Sequence, residues 1–253
     1  MSYRFPHVEH RLYPLTFLDR ASAQIHFDAD LSSNMELLRR FFKDNYELEF
    51  EEEQLTLMRF KTLKVRSHSA DLQLKFSLDF FEVIIGRESY TSFQESIMPH
   101  LAAFIKLIDA MRGKIYKASV RKINSWKFLK FPGLAYHSLV ESVISPILAK
   151  DFPRDPEPPI EADEELIITT FITDNRYENQ ALKINFGYSP HPEEDVLSNQ
   201  TPVRVILDTE CVSLDANALH NNNVIKTLTE ANQMLFDLYH WAVMPEIIEA
   251  MQH

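Results

Sequence analysis

"KIYKASVRKINSWKFLKF" (residues 114–131) carries six lysines and arginines and no acid, inside a chain whose formal net charge is −11. Two readings compete: a basic aromatic ribbon that grips an anion, or a strand whose charges are spoken for. Strand geometry separates them, because successive side chains of a strand leave opposite faces. Even positions give Tyr116, Ala118, Val120, Lys122, Asn124, Trp126 and Phe128; odd positions give Ile115, Lys117, Ser119, Arg121, Ile123, Ser125 and Lys127. Rings and cations fall on opposite faces. The stretch therefore reads as a long core strand, with Tyr116, Trp126 and Phe128 inward and Lys117, Arg121 and Lys127 on a polar face. Lys122 and Asn124 are the anomaly, polar groups in the middle of the apolar face. A buried cation without a partner costs several kcal/mol. The expectation is a partly buried polar cluster of Lys122 and Asn124 with an acid, either structural or lining a small pocket between sheet and helix.

The flanking sequence has the same two periods. "LTFLDRASAQIHF" (15–27) alternates as a strand, and "LSSNMELLRRFFKDNY" (31–46) offers Ser33 or Asn34 as a cap before helical spacing at Leu37, Leu38, Phe41 and Phe42. "EEEQLTLMRFKTLKV" (51–65) returns to alternation. "LQLKFSLDF" (72–80) puts Leu72, Leu74, Phe76, Leu78 and Phe80 on one strand face, and "FFEVIIG" (80–86), apolar on both faces, belongs in the middle of a sheet. Ser92 and Glu95 form a capping box for a helix reaching Gly113, with a stripe through Phe93, Ile97, Leu101, Phe104, Ile105, Ile108 and Met111. "LAYHSLVESVISPILAK" (134–150) reads as a helix ended or kinked at Pro146. "LIITTFIT", "ALKINFGY" and "PVRVILDTECVSL" read as three further strands. The chain closes with a helix from about Asn222 along Val224, Leu228, Ala231, Leu235, Leu238 and Ala242, and Pro245 suits a helix restart.

These elements predict an α+β fold: antiparallel sheets with long amphipathic helices on one face. The division expected is an α+β half over 1–150, a proline- and acid-rich connection over 151–165 with four prolines and seven acids, and an acidic α+β half over 166–253. Both halves are mainly strands with a long helix near the end, the pattern of a loose duplication.

Composition narrows function by exclusion. At 253 residues and 45% hydrophobic, with eighteen phenylalanines, the chain can bury a large aromatic core. Its longest apolar runs fall far short of the roughly 18 residues a membrane-spanning helix needs, and "MSYRFPHVEH" lacks the apolar core of an export signal. With Cys211 the only cysteine, no intrachain disulfide forms, and a cytoplasmic setting is expected. Four scattered glycines build no phosphate-cradling loop, which argues against a P-loop or a dinucleotide-binding turn. Residues 1–150 carry 21 basic and 18 acidic side chains, a net of +3, whereas residues 151–253 carry 5 and 19, a net of −14. Both parts are rich in apolar residues, so this asymmetry reads as an acidic surface with charge pairing between halves.

"VRKINSW" after a helix, "LQLKFSLDFFEVIIGRESYTSF" before it, "VILDTE" later and "LTEANQMLFDLYHWAVMPEII" at the end together resemble a sporadically distributed bacterial protein family of unknown function. The first of these motifs in that family usually reads Arg, Tyr, Ile, Asn; Arg121, Ile123 and Asn124 match, and Lys122 replaces the tyrosine. The resemblance carries over Arg121, Asn124 and Asp208. It implies a bacterial, cytoplasmic protein and no particular activity, cofactor or catalytic residue.

The candidate sites are weighed against structural roles. "HVEH" sets His7 and His10 three apart without a third ligand, and a mobile N-terminus is the simpler reading. His100 and His240 read as hydrogen-bonded structural histidines. Cys211 shares a strand face with Val205 and Leu207 and has two acids nearby, so it reads as a small core hydrophobe. Asp208 and Glu210, two apart on a strand, leave the same face, a carboxylate pair able to hold a cation, to split acid and base roles, or to face Arg121 or Lys122 across the join. Lys117, Arg121 and Lys127 are the candidate anion or nucleic-acid face. No catalytic constellation, metal site or cofactor is expected. The reading favoured is a non-catalytic cytoplasmic binding or protein-interaction protein, with a protein partner or self-association and no membrane. A nucleic-acid-associated protein using the basic strand face, and an enzyme of unrecognised type using Asp208 and Glu210, are the alternatives.

Overall fold

The computed structural model of the chain describes residues 5–11, 13, 16–47, 63–66, 71–130, 134–150, 152, 166–173, 180–190, 201–213 and 219–252. Its strands are β1 (Leu18–Asp28), β2 (Leu63–Arg66), β3 (Leu72–Phe76), β4 (Phe80–Gly86), β5 (Lys114–Lys130), β6 (Leu166–Thr173), β7 (Gln180–Pro190) and β8 (Thr201–Ser213). Among the described residues they form one sheet in the order β2-β3-β4-β1-β5-β8-β7-β6, antiparallel at every pairing. The helices are α1 (Met35–Tyr46), α2 (Phe93–Ser96), α3 (Met98–Ala110), α4 (Tyr136–Glu141), α5 (Pro146–Ala149), α6 (Val224–Ala242) and α7 (Pro245–Ala250). The protein is thus α+β with an antiparallel sheet. The connection over 153–165 lies outside the described residues, as do 51–62 of the alternating stretch before β3.

The quoted strand, β5, spans seventeen residues near the centre of the sheet, paired with β1 on one edge and β8 on the other. On either side of the β1–β5 junction the strands follow the same plan. β1, β2, β3 and β4 lie in the order β1-β4-β3-β2 outward from the junction, and β5, β6, β7 and β8 lie in the order β5-β8-β7-β6.

One face of the sheet meets the helices. Phe81 stacks on Phe104 of α3 with ring centroids 4.1 Å apart, Phe42 of α1 packs on Phe76 and Phe81, and Trp126 stacks on Tyr239 of α6. Tyr136 of α4 stacks on Tyr188 of β7. These contacts use the alternate residues of each strand that the pairing register brings onto a single face. The sequence stripe of α6 is buried throughout, Val224, Leu228, Ala231, Leu235, Leu238 and Ala242 included, and α7 restarts at Pro245. No helix among the described residues is long and apolar enough to cross a membrane.

Four local expectations are corrected. Tyr116 is exposed, at 36% of its surface, and Ile115 takes the core position instead. The pairing of β1 with β5 shifts between His26↔Lys117 and Phe27↔Ile115, a bulge that inserts Tyr116 and reverses the alternation of everything before it. "LQLKFSLDF" is not one strand: the chain turns at Ser77–Asp79, with the Ser77 amide donating to the Phe80 carbonyl, and Leu78 is exposed at the tip. The run 134–150 forms two short helices, because Pro146 begins α5 and Ile144 pairs with Val243 as an isolated bridge. The stretch containing His7 and His10 is packed: Phe5 is buried against Trp241, the Val8 amide donates to Asp237 of α6 at 3.0 Å, and Gln233 donates to the Val8 carbonyl. An apolar anchor and a buried helix carboxylate hold it down, and neither is visible as periodicity.

Candidate functional site

The two sets of side chains of β5 line two different cavities. Arg121 and Asp208 define the first. Ile123 pairs with Asp208 and Arg121 with Glu210 across the β5–β8 ladder, so Arg121 sits diagonally beside Asp208, on the face opposite the helix-packed side chains. The Arg121 guanidinium donates from Nε to Asp208 Oδ1 at 2.8 Å and from a terminal nitrogen to Oδ2 at 2.7 Å, and Asn185 of β7 donates to Oδ2 at 3.1 Å. The bidentate geometry is the strong form of this ion pair. It pushes the already high pKa of Arg121 higher still.

Around this pair lies a cleft of about 650 Å3 to which β3, β4, β1, β5, β8 and β7 all contribute. Six strands, spaced roughly 4.8 Å apart, line one cavity only where the sheet curls around it. Arg20, Lys127 and Arg204 bring further cations, Asp19 and Asp71 further carboxylates. The irregularity between Leu18 and Arg20 in the β1–β5 pairing lets the consecutive Asp19 and Arg20 both reach the cleft. Gly86 makes room for Asp71, since a Cβ there would come within 2.8 Å of the Asp71 carboxyl carbon. Three buried polar atoms on this wall, Asp71 Oδ2, Asn185 Oδ1 and Arg204 Nε, have no hydrogen-bond partner among the described residues.

Lys122 and Asn124 open the other way, into a cavity of about 380 Å3 between the sheet and α6. Leu18, Leu235, Phe236, Tyr239 and Met251 give it apolar walls, and His10 and Tyr13 of the N-terminal segment lie over it. Tyr13 is hydrogen-bonded to His240, whose other ring nitrogen bonds the Phe236 carbonyl at 2.9 Å. Lys122 keeps part of its surface exposed, and that surface faces the cavity; enough protein surrounds it that desolvation lowers its pKa from 10.5 to about 8. Burial lowers the pKa of His10, and the charge of Lys122 adds to the effect. No carboxylate pairs with Lys122 among the described residues. The acid expected beside Lys122 and Asn124 is therefore missing from the described residues, whereas the pocket between sheet and helix is present.

The sequence candidates are thus split. Arg121 and Lys127 line the open cleft, and Lys117, four residues and roughly 13 Å along the strand from Arg121, does not. Asp208 lines the cleft and Glu210 stands next to it on the same face without reaching the lining. Cys211 is buried, its thiol 3.3 Å from the Gln180 side chain and 3.8 Å from Met234 Sδ, and His100 bonds Tyr46. No group of three or more histidines, cysteines and acids fit to hold a metal ion occurs among the described residues. Asn185, Arg204 and Asp71 escaped the sequence reading, since each lies far along the chain from Arg121 and is brought near by strand order alone. No family model matches the sequence, and no curated protein matches it.

Proposed function

We propose that this is a non-catalytic binding protein whose working surface is the face of the sheet opposite the described helices. One observation carries the reading: the cleft around Arg121 and Asp208 holds three buried polar atoms without partners among the described residues. Such groups cost about 1–3 kcal/mol each when left unsatisfied, and a polar partner in the cleft relieves that cost once these side chains turn toward it. The alternation of cations and carboxylates favours a partner of mixed charge, such as a segment of another protein. It disfavours nucleic acid, because Arg121 already spends its guanidinium on Asp208. It also disfavours catalysis by the carboxylate pair, because Asp208 is held by two donors.

Two further readings go with this one. The halves are copies of one strand-helix-three-strand-helix unit, supported by the matching orders β1-β4-β3-β2 and β5-β8-β7-β6. On that reading the join falls just before β5 rather than at 151–165. A bacterial, cytoplasmic setting is supported by the single buried thiol of Cys211 and the resemblance of motif order.

The test is selection of displayed peptides on the intact protein, followed by affinity measurement against R121A/D208A. Removing both partners together leaves no stranded charge. Selected mixed-charge peptides that lose binding to the double variant, and keep it to the remote K226A, support the reading. Peptides that bind both equally overturn it, and salt-dependent binding of single-stranded or duplex DNA replaces it with the nucleic-acid reading.

A further inference from the structure

The cavity on the other face of β5 has a different chemistry and is independent of the cleft. Its described lining includes the cations Lys122 and Arg11 and contains no aspartate or glutamate. That is unusual in a chain of net charge −11, where acids outnumber bases 37 to 26. Leu18, Leu235, Phe236, Tyr239 and Met251 supply apolar and aromatic surface, and Thr16, Thr91, Thr209 and Asn124 add uncharged polar groups. Asn124 stands two residues along β5 from Lys122, so its amide and the Lys122 ammonium leave the same face side by side. Thr209, opposite Lys122 on β8, donates its hydroxyl to the Lys122 carbonyl at 3.3 Å, which ties the strand at the point where the cation emerges.

A volume of about 380 Å3 lies in the range of small-ligand pockets, roughly 300–1,000 Å3, where apolar walls supply burial and a few polar groups fix orientation. Lys122 offers donors and no acceptor, and Asn124 offers an amide, so the head group they suit is an acceptor carrying negative charge. Arg11 is engaged with Tyr13, through its Nε on the hydroxyl and its guanidinium 5.0 Å from the ring centroid. One ammonium and one amide therefore remain for the ligand, which matches a monoanion better than a phosphate ester with its greater charge and number of oxygens.

We propose that the cavity between β5 and α6 binds a small amphipathic carboxylate, its carboxylate on Lys122 and Asn124 and its hydrocarbon body against α6. The N-terminal segment is the cover of this site. Phe5 on Trp241 and the Val8–Asp237 hydrogen bond pin the segment beyond the cavity, and Tyr13 bonded to His240 holds it over the opening. This also gives a reason for an inward lysine on an otherwise apolar strand face: in the free protein the ammonium is poorly solvated, and the ligand supplies its counter-ion.

Decanoate and decanol are the probes, titrated into the full chain near neutral pH and followed by calorimetry and by the fluorescence of Trp126, whose ring stacks on Tyr239 of the cavity wall. Decanoate binds saturably and decanol more weakly. K122M, which keeps the length of the side chain, weakens decanoate by about tenfold or more, the loss of one charge-assisted hydrogen bond, and leaves decanol unchanged. In the unmodified protein the Lys122 side-chain resonance shifts on adding decanoate and not decanol, a readout that survives even if K122M folds poorly. Equal binding of decanoate and decanol, decanoate binding untouched by K122M, or an unshifted Lys122 resonance each overturns the proposal. None of these outcomes depends on the cleft at Arg121, so the two readings fail separately.

Discussion

At the scale of the residue, Arg121 and Lys122 show how one step along a strand changes the physics of a cation. Arg121 finds Asp208, which Asn185 also holds, at the open face, where the arginine side chain stays 47% exposed, and the pair forms in good geometry at modest desolvation. Lys122 turns inward, meets no acid among the described residues, and its pKa falls to about 8. The sign of the consequence follows from linkage. Folding lowers the lysine pKa below its ordinary value, so the unfolded chain binds the proton more tightly. Stability then carries the full penalty below about pH 8 and rises as pH climbs from there toward 10.5. Wild-type protein therefore gains up to about 3 kcal/mol over that interval, and K122M lacks this gain and is the more stable of the two near neutrality. Denaturant melts across the interval check this, and parallel curves for the two proteins would refute it.

At the scale of the element, β5 is where sequence reading reached furthest and where it stopped. Period two placed Trp126 inward and Arg121 and Lys127 outward because those residues lie in the regular part of the strand, paired without interruption with β8. It misplaced Tyr116 because a bulge is a property of two strands, and the partner's register is not written in β5 itself. The same limit hid the turn at Ser77–Asp79 inside an alternating run and the packing of the N-terminal segment on α6. Helix stripes were legible, as the buried face of α6 shows, because a core-facing stripe repeats along the element and needs no knowledge of the partner. The bulge has a measurable consequence. Trp126→Ala removes a ring stacked on Tyr239 and costs about 3–5 kcal/mol, whereas Tyr116→Ala costs about 0.5 kcal/mol or less. A comparable loss at both positions would place Tyr116 in the core and contradict the register shift.

At the scale of the whole molecule, the described helices pack on one face of a single antiparallel sheet, and the proposed binding cleft lies on the other. The candidate residues Arg121, Asp208 and Lys127 were legible singly, from charge on a strand, but the cleft was not. Asn185, Asp71 and Arg204 join it through the strand order, which brings positions more than a hundred residues apart to one wall. The cavity at Lys122 was half legible, as an anomaly of polarity on an apolar face, and its walls came from α6 and the N-terminal segment. β5 is thus the shared wall of two cavities, a mixed-charge cleft on one side and a largely apolar, cation-bearing cavity on the other. The most direct measurement is a crossed binding experiment with R121A/D208A and K122M, each titrated with a selected mixed-charge peptide and with decanoate. The account predicts that R121A/D208A loses the peptide and keeps decanoate, while K122M loses decanoate and keeps the peptide. Loss of both ligands by either variant, or of neither by both, would contradict it.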